Sequence, residues 1–297
     1  MKNSAKKYII FIILLFFAPL AVIAANVEPV VSTDWLEKNL SNPKVVIVDI
    51  RKAEDFKGNH IQNSISILAK SWIIKKKDML NEMISDDDLK DLIGDAGIKQ
   101  DSIVVIVGTV GAPLDVVSTA RVAWTLIYAG VKDVAILNGG FEKWEKEGKP
   151  LSKAIVKPKA KPFTPKYDKS ILVNKDYVLK NIDKAVIVDV RTPEFYSGEK
   201  KQTFVERAGH VKNAKNLSWL ALMNEDKTYK GKDEIEKIMV PIIGTDKTKT
   251  IIFYCDTGMF ATPAWFMAYN LLGYTNAKVY DGSAQEWAAD PNAPMEK

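Results

Sequence analysis

The chain's only cysteine, Cys255, stands where an apolar run meets a loop, in I-I-F-Y-C-D-T-G-M-F-A-T-P-A-W from Ile251 to Trp265. A thiol with the ordinary pKa of about 8.5 is mostly protonated at neutral pH, and the thiolate is the nucleophile. The spacing predicts a strand over Ile251 to Tyr254, a tight loop from Cys255 to Ala261, and a helix stopping at Gly273. Thr262 as a cap and Pro263 at the first helical position predict where that helix starts. Gly258 lets the loop curl, so amides and the positive helix end would face the sulfur and favour a thiolate, persulfide or oxyanion. Lowering the thiol pKa by about one unit corresponds to roughly 1.4 kcal/mol of preference for the anion. A buried, inert thiol is the competing reading.

Other residues could assist such a sulfur. The four arginines are Arg51, Arg121, Arg191 and Arg207, and the two histidines are His60 and His210. Arg191 follows Asp189 at the end of an apolar run, as Arg51 follows Asp49 in an earlier one. Because Arg51 occurs where no cysteine follows, an Asp–Arg pair that only secures a strand end is an equal reading for Arg191. His60 in G-N-H-I and His210 in A-G-H-V likewise occupy equivalent places, so both are expected to serve the fold. Asp281 and Ser283 read as turn residues supporting the loop. Trp124, Trp265 and Trp287 read as core.

The elements that must position these groups are repeated. V-V-I-V-D-I-R at Val45–Arg51 returns as A-V-I-V-D-V-R at Ala185–Arg191, an offset of 140, and Ser118–Trp144 aligns without gaps on Ala261–Trp287 at an offset of 143. L-N-G-G then falls on Y-D-G-S, Gly130 on Gly273 and Trp144 on Trp287. Strands are expected at Val45–Ile50, Ile103–Val107 and Val134–Leu137, and again at Ala185–Val190, Ile251–Tyr254 and Ala277–Tyr280. Short helices are expected at Val31–Leu40, with Ser32 or Thr33 as cap, and at Ser170–Asn181. Apolar strands alternating with helices predict an α/β fold of two similar domains, each a parallel sheet flanked by helices on both faces. Ligands of such sheets bind beyond the carboxyl ends of the strands, where the Cys255 loop falls.

The 297 residues, 47% of them hydrophobic, suffice for two cores. The net charge of +5 comes from scattered lysines without a basic helix face or interleaved aromatics. That pattern reads as a solvated surface, from which no nucleic-acid partner is expected, and it suits small anions. Residues 1–25 carry Lys2, Lys6 and Lys7 before an apolar run from Tyr8 to about Ala24, the layout of a secretory signal peptide. Retention as a membrane anchor is the alternative, and either way the remainder is expected to be exported, periplasmic or secreted. In such a compartment an unpaired cysteine is an oxidation liability. The expected organisation is therefore a signal at 1–25, a first domain at 26–150, a Pro/Lys-rich linker at 151–166 and a second domain at 167–297. Pro158, Pro162 and Pro165 mark the linker.

The repeat, with V-D-V-R, G-H-V, C-D-T-G-M-F-A and Y-D-G-S-A-Q-E-W, resembles the tandem-domain rhodaneses, the thiosulfate and 3-mercaptopyruvate sulfurtransferases. The resemblance covers nearly all of the chain beyond the signal. It implies a catalytic second domain whose cysteine, here Cys255, takes sulfane sulfur from a small donor, holds it as a persulfide and passes it to a thiol or cyanide. A protein thiol carrier is among the acceptors it allows, and it implies no metal or organic cofactor. The first domain, whose loop opens at Gly108 and holds no thiol, is implied to be noncatalytic. By the same resemblance the loop residues Asp256, Thr257, Gly258, Met259, Phe260 and Ala261 meet the substrate. Arg191 is implied to contact its anionic group. The insertion Thr192–Gly209, which distinguishes the second copy from the first and carries Arg207, is expected to fold over the pocket and bring Arg207 to the substrate.

The loop departs from both patterns in that family. Thiosulfate users resemble C-R-K-G-V-T and mercaptopyruvate users C-G-S-G-V-T, whereas this chain has an acid at Asp256, a hydroxyl at Thr257 and a ring at Phe260. Asp256 argues against thiosulfate, and Thr257 leans toward a mercaptopyruvate-like donor. A noncatalytic binding module and a redox-sensing thiol remain alternatives. A cysteine phosphatase would need an arginine six residues beyond the cysteine, where Ala261 stands.

Overall fold

The apolar runs build two sheets of identical topology. The structure, a computed structural model, describes residues 27–297; the expected signal at 1–25 lies outside them. The first sheet contains β1 (Val30–Val31), β2 (Val45–Asp49), β3 (Ile65–Ser66), β4 (Ile103–Val107) and β5 (Asp133–Leu137), in the order β1-β5-β4-β2-β3. The second contains β6 (Leu172–Val173), β7 (Val186–Asp189), β8 (Lys215–Asn216), β9 (Ile251–Tyr254) and β10 (Ala277–Tyr280), in the order β6-β10-β9-β7-β8. All pairings within the two sheets are parallel. In register, Asp49 faces Val107 and Asp189 faces Tyr254, which places Gly108 and Cys255 at equivalent strand ends.

Both sheets are covered by helices. Ser32 caps the first helix, Thr33–Lys38, by accepting from the amide of Trp35, as its position predicts. The segment read as one helix from Ser170 to Asn181 is instead a short 3-10 turn, strand β6, and a helix of only Lys175–Asn181 capped by Asn174. Two-residue edge strands carry too little pattern to be separated from their flanks.

Two features tie the units together. The helix α1 (Pro113–Tyr128), buried almost throughout, packs on α2 (Ala261–Phe266), so one apolar core runs from Trp124 to Trp265 without a break. Trp144 and Trp287 fill the opposite faces of their respective sheets. The second tie is an antiparallel hairpin, Ile73–Lys76 with Met79–Met83, which the first unit sends onto the second.

The connecting segment is extended but not loose. Leu151–Ser152 pairs with His60–Ile61, and the rest lies on the first unit through Lys161 to Gly94, Lys166 to Ala129 and buried Phe163. In the second unit Met295–Glu296 pairs with His210–Val211 in the same manner. Among the described residues, no helix is long and apolar enough to cross a membrane.

Candidate functional site

Cys255 directly follows β9 and is fully buried. Its loop is stitched to the turn after β10 by one hydroxyl: Ser283 Oγ accepts from the amides of Cys255 at 3.1 Å and Gly258 at 3.0 Å, and donates to Tyr280 O at 2.7 Å. Backbone bonds from Ala284 to Cys255 O and from Gln285 to Asp256 O continue the seam. Gly258 has φ +76°, and a Cβ there would lie 2.1 Å from Asp281 Oδ1, so only glycine fits. The loop curls as its glycine predicts, and the amides of Thr257, Ala261 and Phe260 face the sulfur.

The expected depression of the thiol pKa is not what results. Burial pushes the Cys255 thiol up to about 11, the Asp256 carboxylate adds to the rise, and the three amides offset only part of it. Desolvation of a fully buried anion outweighs the loop dipoles. The resting group is therefore a thiol.

The helix start is also corrected. α2 begins at Ala261, and the Thr262 hydroxyl donates to Met259 O at 2.8 Å instead of capping amides. After Phe266 the helix widens into a π turn over Met267–Leu271, ending before Gly273.

Arg191 does reach the loop. Its Nε and Nη2 bind Asp189, Nη2 also donates to Gly209 O, and Nη1 lies 3.3 Å from Asp256 Oδ1. Asp256 is held above the usual carboxylate range, since burial outweighs the pull of Arg191. Gln202, from the insertion, pulls in the same direction as Arg191. Tyr254 completes the cluster, its hydroxyl donating to Asp189 at 2.8 Å and accepting from the Val211 amide.

Arg207 is elsewhere. Its guanidinium donates to the carbonyls of Trp287, Ala288, Asp290 and Ala293, clamping the chain after the last helix (Ser283–Ala289). The expectation that it covers the pocket is corrected: carbonyls facing one another without donors are what hold it. His60 and His210 stack on Phe56 and Tyr196 at 4.0 and 3.8 Å, each with Nδ1 on that residue's carbonyl. Their matching roles are structural.

Several residues of the first unit complete the site. Asn81, at the hairpin with φ +60°, donates from Nδ2 to Thr257 Oγ1 at 2.9 Å. Arg121, in the middle of α1, pairs bidentately with Asp281 and donates to Asn81 O at 2.8 Å. Asp281 also accepts from the Met83 amide, and Gln285 is bonded on both sides by the hairpin, to Leu80 N and Asp78 O. Only Arg121 left a sequence signal, a lone cation within the apolar stretch S-T-A-R-V-A-W.

Phe260 packs edge-on against Trp219, with ring centroids 5.3 Å apart, and Met259 is buried. Met259 and Asn81 line a cleft of about 570 Å³ beyond the carboxyl ends of β2 and β4. Among the described residues, no group of three or more metal-ligating side chains converges.

Comparison with known proteins gives one consistent result. The Rhodanese-like domain matches twice, at residues 32–147 and 174–290. The chain is 34% identical over 289 residues to the sulfur carrier protein TtuD of Thermus thermophilus, covering 92% of this chain and 98% of that one. It is 32% identical over 281 residues to a putative thiosulfate sulfurtransferase of Mycolicibacterium smegmatis, covering 92% and 99%. Among solved structures, an anaerobic ergothioneine biosynthesis enzyme from Chlorobium limicola superposes with a TM-score of 0.80 at 24% identity, over 91% of this chain and 70% of that one. YnjE superposes with a TM-score of 0.79 at 23% identity, over 91% and 68%. At those identities the structures share the fold alone.

Proposed function

Because the chain belongs to the tandem-domain rhodanese family of sulfurtransferases, we propose that it moves sulfane sulfur through a persulfide on Cys255. In the first half-reaction the Cys255 thiol gives up its proton, its thiolate attacks the outer sulfur of a donor, and the remainder of the donor leaves with the electron pair and takes up the proton. In the second, an acceptor thiol or cyanide attacks the sulfur held on Cys255, which departs as thiolate. No net oxidant or reductant enters either step.

The observation that carries this reading is the convergence of the Thr257, Phe260 and Ala261 amides on one sulfur in a loop curled at Gly258. Those donors reward a negative charge at Cys255 and would hold the outer sulfur of a persulfide equally well. The first unit has Gly108 at the equivalent strand end and acts as the wall of the site. Asp256, which already occupies Arg191 Nη1, disfavours a dianionic donor such as thiosulfate and leaves a 3-mercaptopyruvate-like donor as the preferred class. The N-terminal sequence supports an exported enzyme, and a burial that keeps the thiol protonated suits an oxidising compartment.

The intact mass of the mature protein after incubation with 3-mercaptopyruvate, and separately thiosulfate, tests the reading with Cys255→Ser as control. A reducible gain of one sulfur on the wild type alone is expected. The buried thiol itself favours one rival, a noncatalytic binding module. Absence of sulfur uptake from every donor class, with Cys255 open to alkylation, would establish that rival.

A further inference from the structure

The two copies treat their equivalent arginines differently. Arg191 in the second unit and Arg51 in the first both spend Nε and Nη2 on the preceding aspartate, and both pass a further Nη2 bond to a carbonyl, Gly209 O or Asn59 O. They diverge at Nη1. In the second unit it faces Asp256. In the first, the residue at that place is Thr109, whose hydroxyl donates to Glu142, and Arg51 Nη1 has no hydrogen-bond partner among the described residues.

Arg51 is only 6% exposed and lines the 570 Å³ cleft that Met259 of the cysteine loop also lines. It is the one charged side chain of that lining that is buried. Lys52, Glu54, Asp55 and Lys70 are exposed at the mouth, and Asp115 is engaged by the Ala112 amide. Ile73 and Leu114 make one wall apolar. An unpaired guanidinium edge in a partly dry cleft is a strong anion site, because screening by water is reduced there.

We propose that the first unit's cleft binds the carboxylate of the sulfur acceptor, with Arg51 Nη1 as its anchor, so that the acceptor is a small thiol acid whose apolar arm reaches toward Met259 and the cysteine loop. The anion subsite has thus passed to the copy without a nucleophile, while Asp256 fills the corresponding place beside Cys255. This rests on the persulfide reading. In the transfer, the acceptor thiolate attacks the outer persulfide sulfur and one S–S bond forms as the Cys255 S–S bond breaks. Cys255 leaves as thiolate and takes up the proton the acceptor thiol gave up.

The test compares 3-mercaptopropionate with neutral 3-mercapto-1-propanol as acceptors for Cys255 already loaded with sulfur. The ratio of their kcat/KM values should fall about tenfold or more in Arg51→Gln, the loss of one charge-assisted bond. Since removing Arg51 leaves Asp49 buried without its partner, a second variant works from the rim: Leu114, 52% exposed, tolerates exchange. Leu114→Glu should lower the ratio comparably, and Leu114→Gln should not. An unaltered ratio in Arg51→Gln and in Leu114→Glu overturns the proposal while leaving persulfide chemistry standing. A binding measurement needs no persulfide: in Cys255→Ser protein, 3-mercaptopropionate should shift the methyl resonances of Ile73 and Leu114, and 3-mercapto-1-propanol should not. If Cys255 never accepts sulfur the functional reading fails, and this titration still decides whether the anion site exists.

Discussion

Arg121 of the first unit and Asp281 of the second form a buried, bidentate pair directly behind Gly258 of the cysteine loop. The cysteine loop of one copy thus rests on a cation supplied by the other.

Arg121→Met should therefore leave Asp281 buried and uncompensated, destabilising the protein by about 3–5 kcal/mol. Chemical denaturation measures the loss. Pairing it with Asp281→Leu should restore much of the stability, and failure of that rescue would mean the pair does not act as a unit.

Asn81 reaches Thr257 by its side chain while its backbone sits in the left-handed region. Asn81→Gly keeps that conformation and deletes only the amide. The rate of sulfur loading should drop about tenfold, the worth of one hydrogen bond at the loop. Unchanged loading kinetics would show that Thr257 needs no partner.

The thiol titrates late, up to about 11, from burial and then Asp256. Alkylation by iodoacetamide should consequently keep accelerating well above the usual thiol range. Asp256→Asn should slide that curve to lower pH and so raise the rate at any fixed pH below it, about tenfold if the thiol pKa falls by about one. An unmoved curve would show that burial alone sets the titration. The linked stability follows in sign: a thiol whose pKa is raised by folding costs nothing below about 8.5, and folding stability declines as pH climbs beyond it.

Glu82, on the hairpin, is pushed up to about 7 by burial and by Asp281, against the pull of Arg121. Its protonated form favours the native seam, so this contribution is complete below the unfolded carboxyl pKa and disappears as pH rises through about 7. Glu82→Gln should raise Tm by a few degrees at about pH 8 and leave it little changed near pH 4. Parallel melting curves at both pH values would remove Glu82 from the account.

The central strands were legible because Val and Ile runs such as V-V-I-V-D-I-R admit little else, and the repeat made each half confirm the other. The hairpin escaped because Lys75, Lys76 and Lys77 interrupt any alternation. At the site, cysteine, glycine and Asp256 could be read from residue type, as could the structural sense of both histidines. Burial of the sulfur could not, since it depends on how Phe260, Trp219 and the hairpin close around the loop. Arg207 misled for a related reason: the carbonyls that hold it come from residues 287–293, whose convergence no local pattern announces.

His60 and His210 are the only histidines in the chain, and each is stacked in its own half against an aromatic ring. The imidazole region of a proton spectrum therefore offers two ring-current-shifted reporters, one for each half. A disturbance that moves one pair of lines and spares the other identifies which half a ligand or a substitution has touched, without any label being introduced.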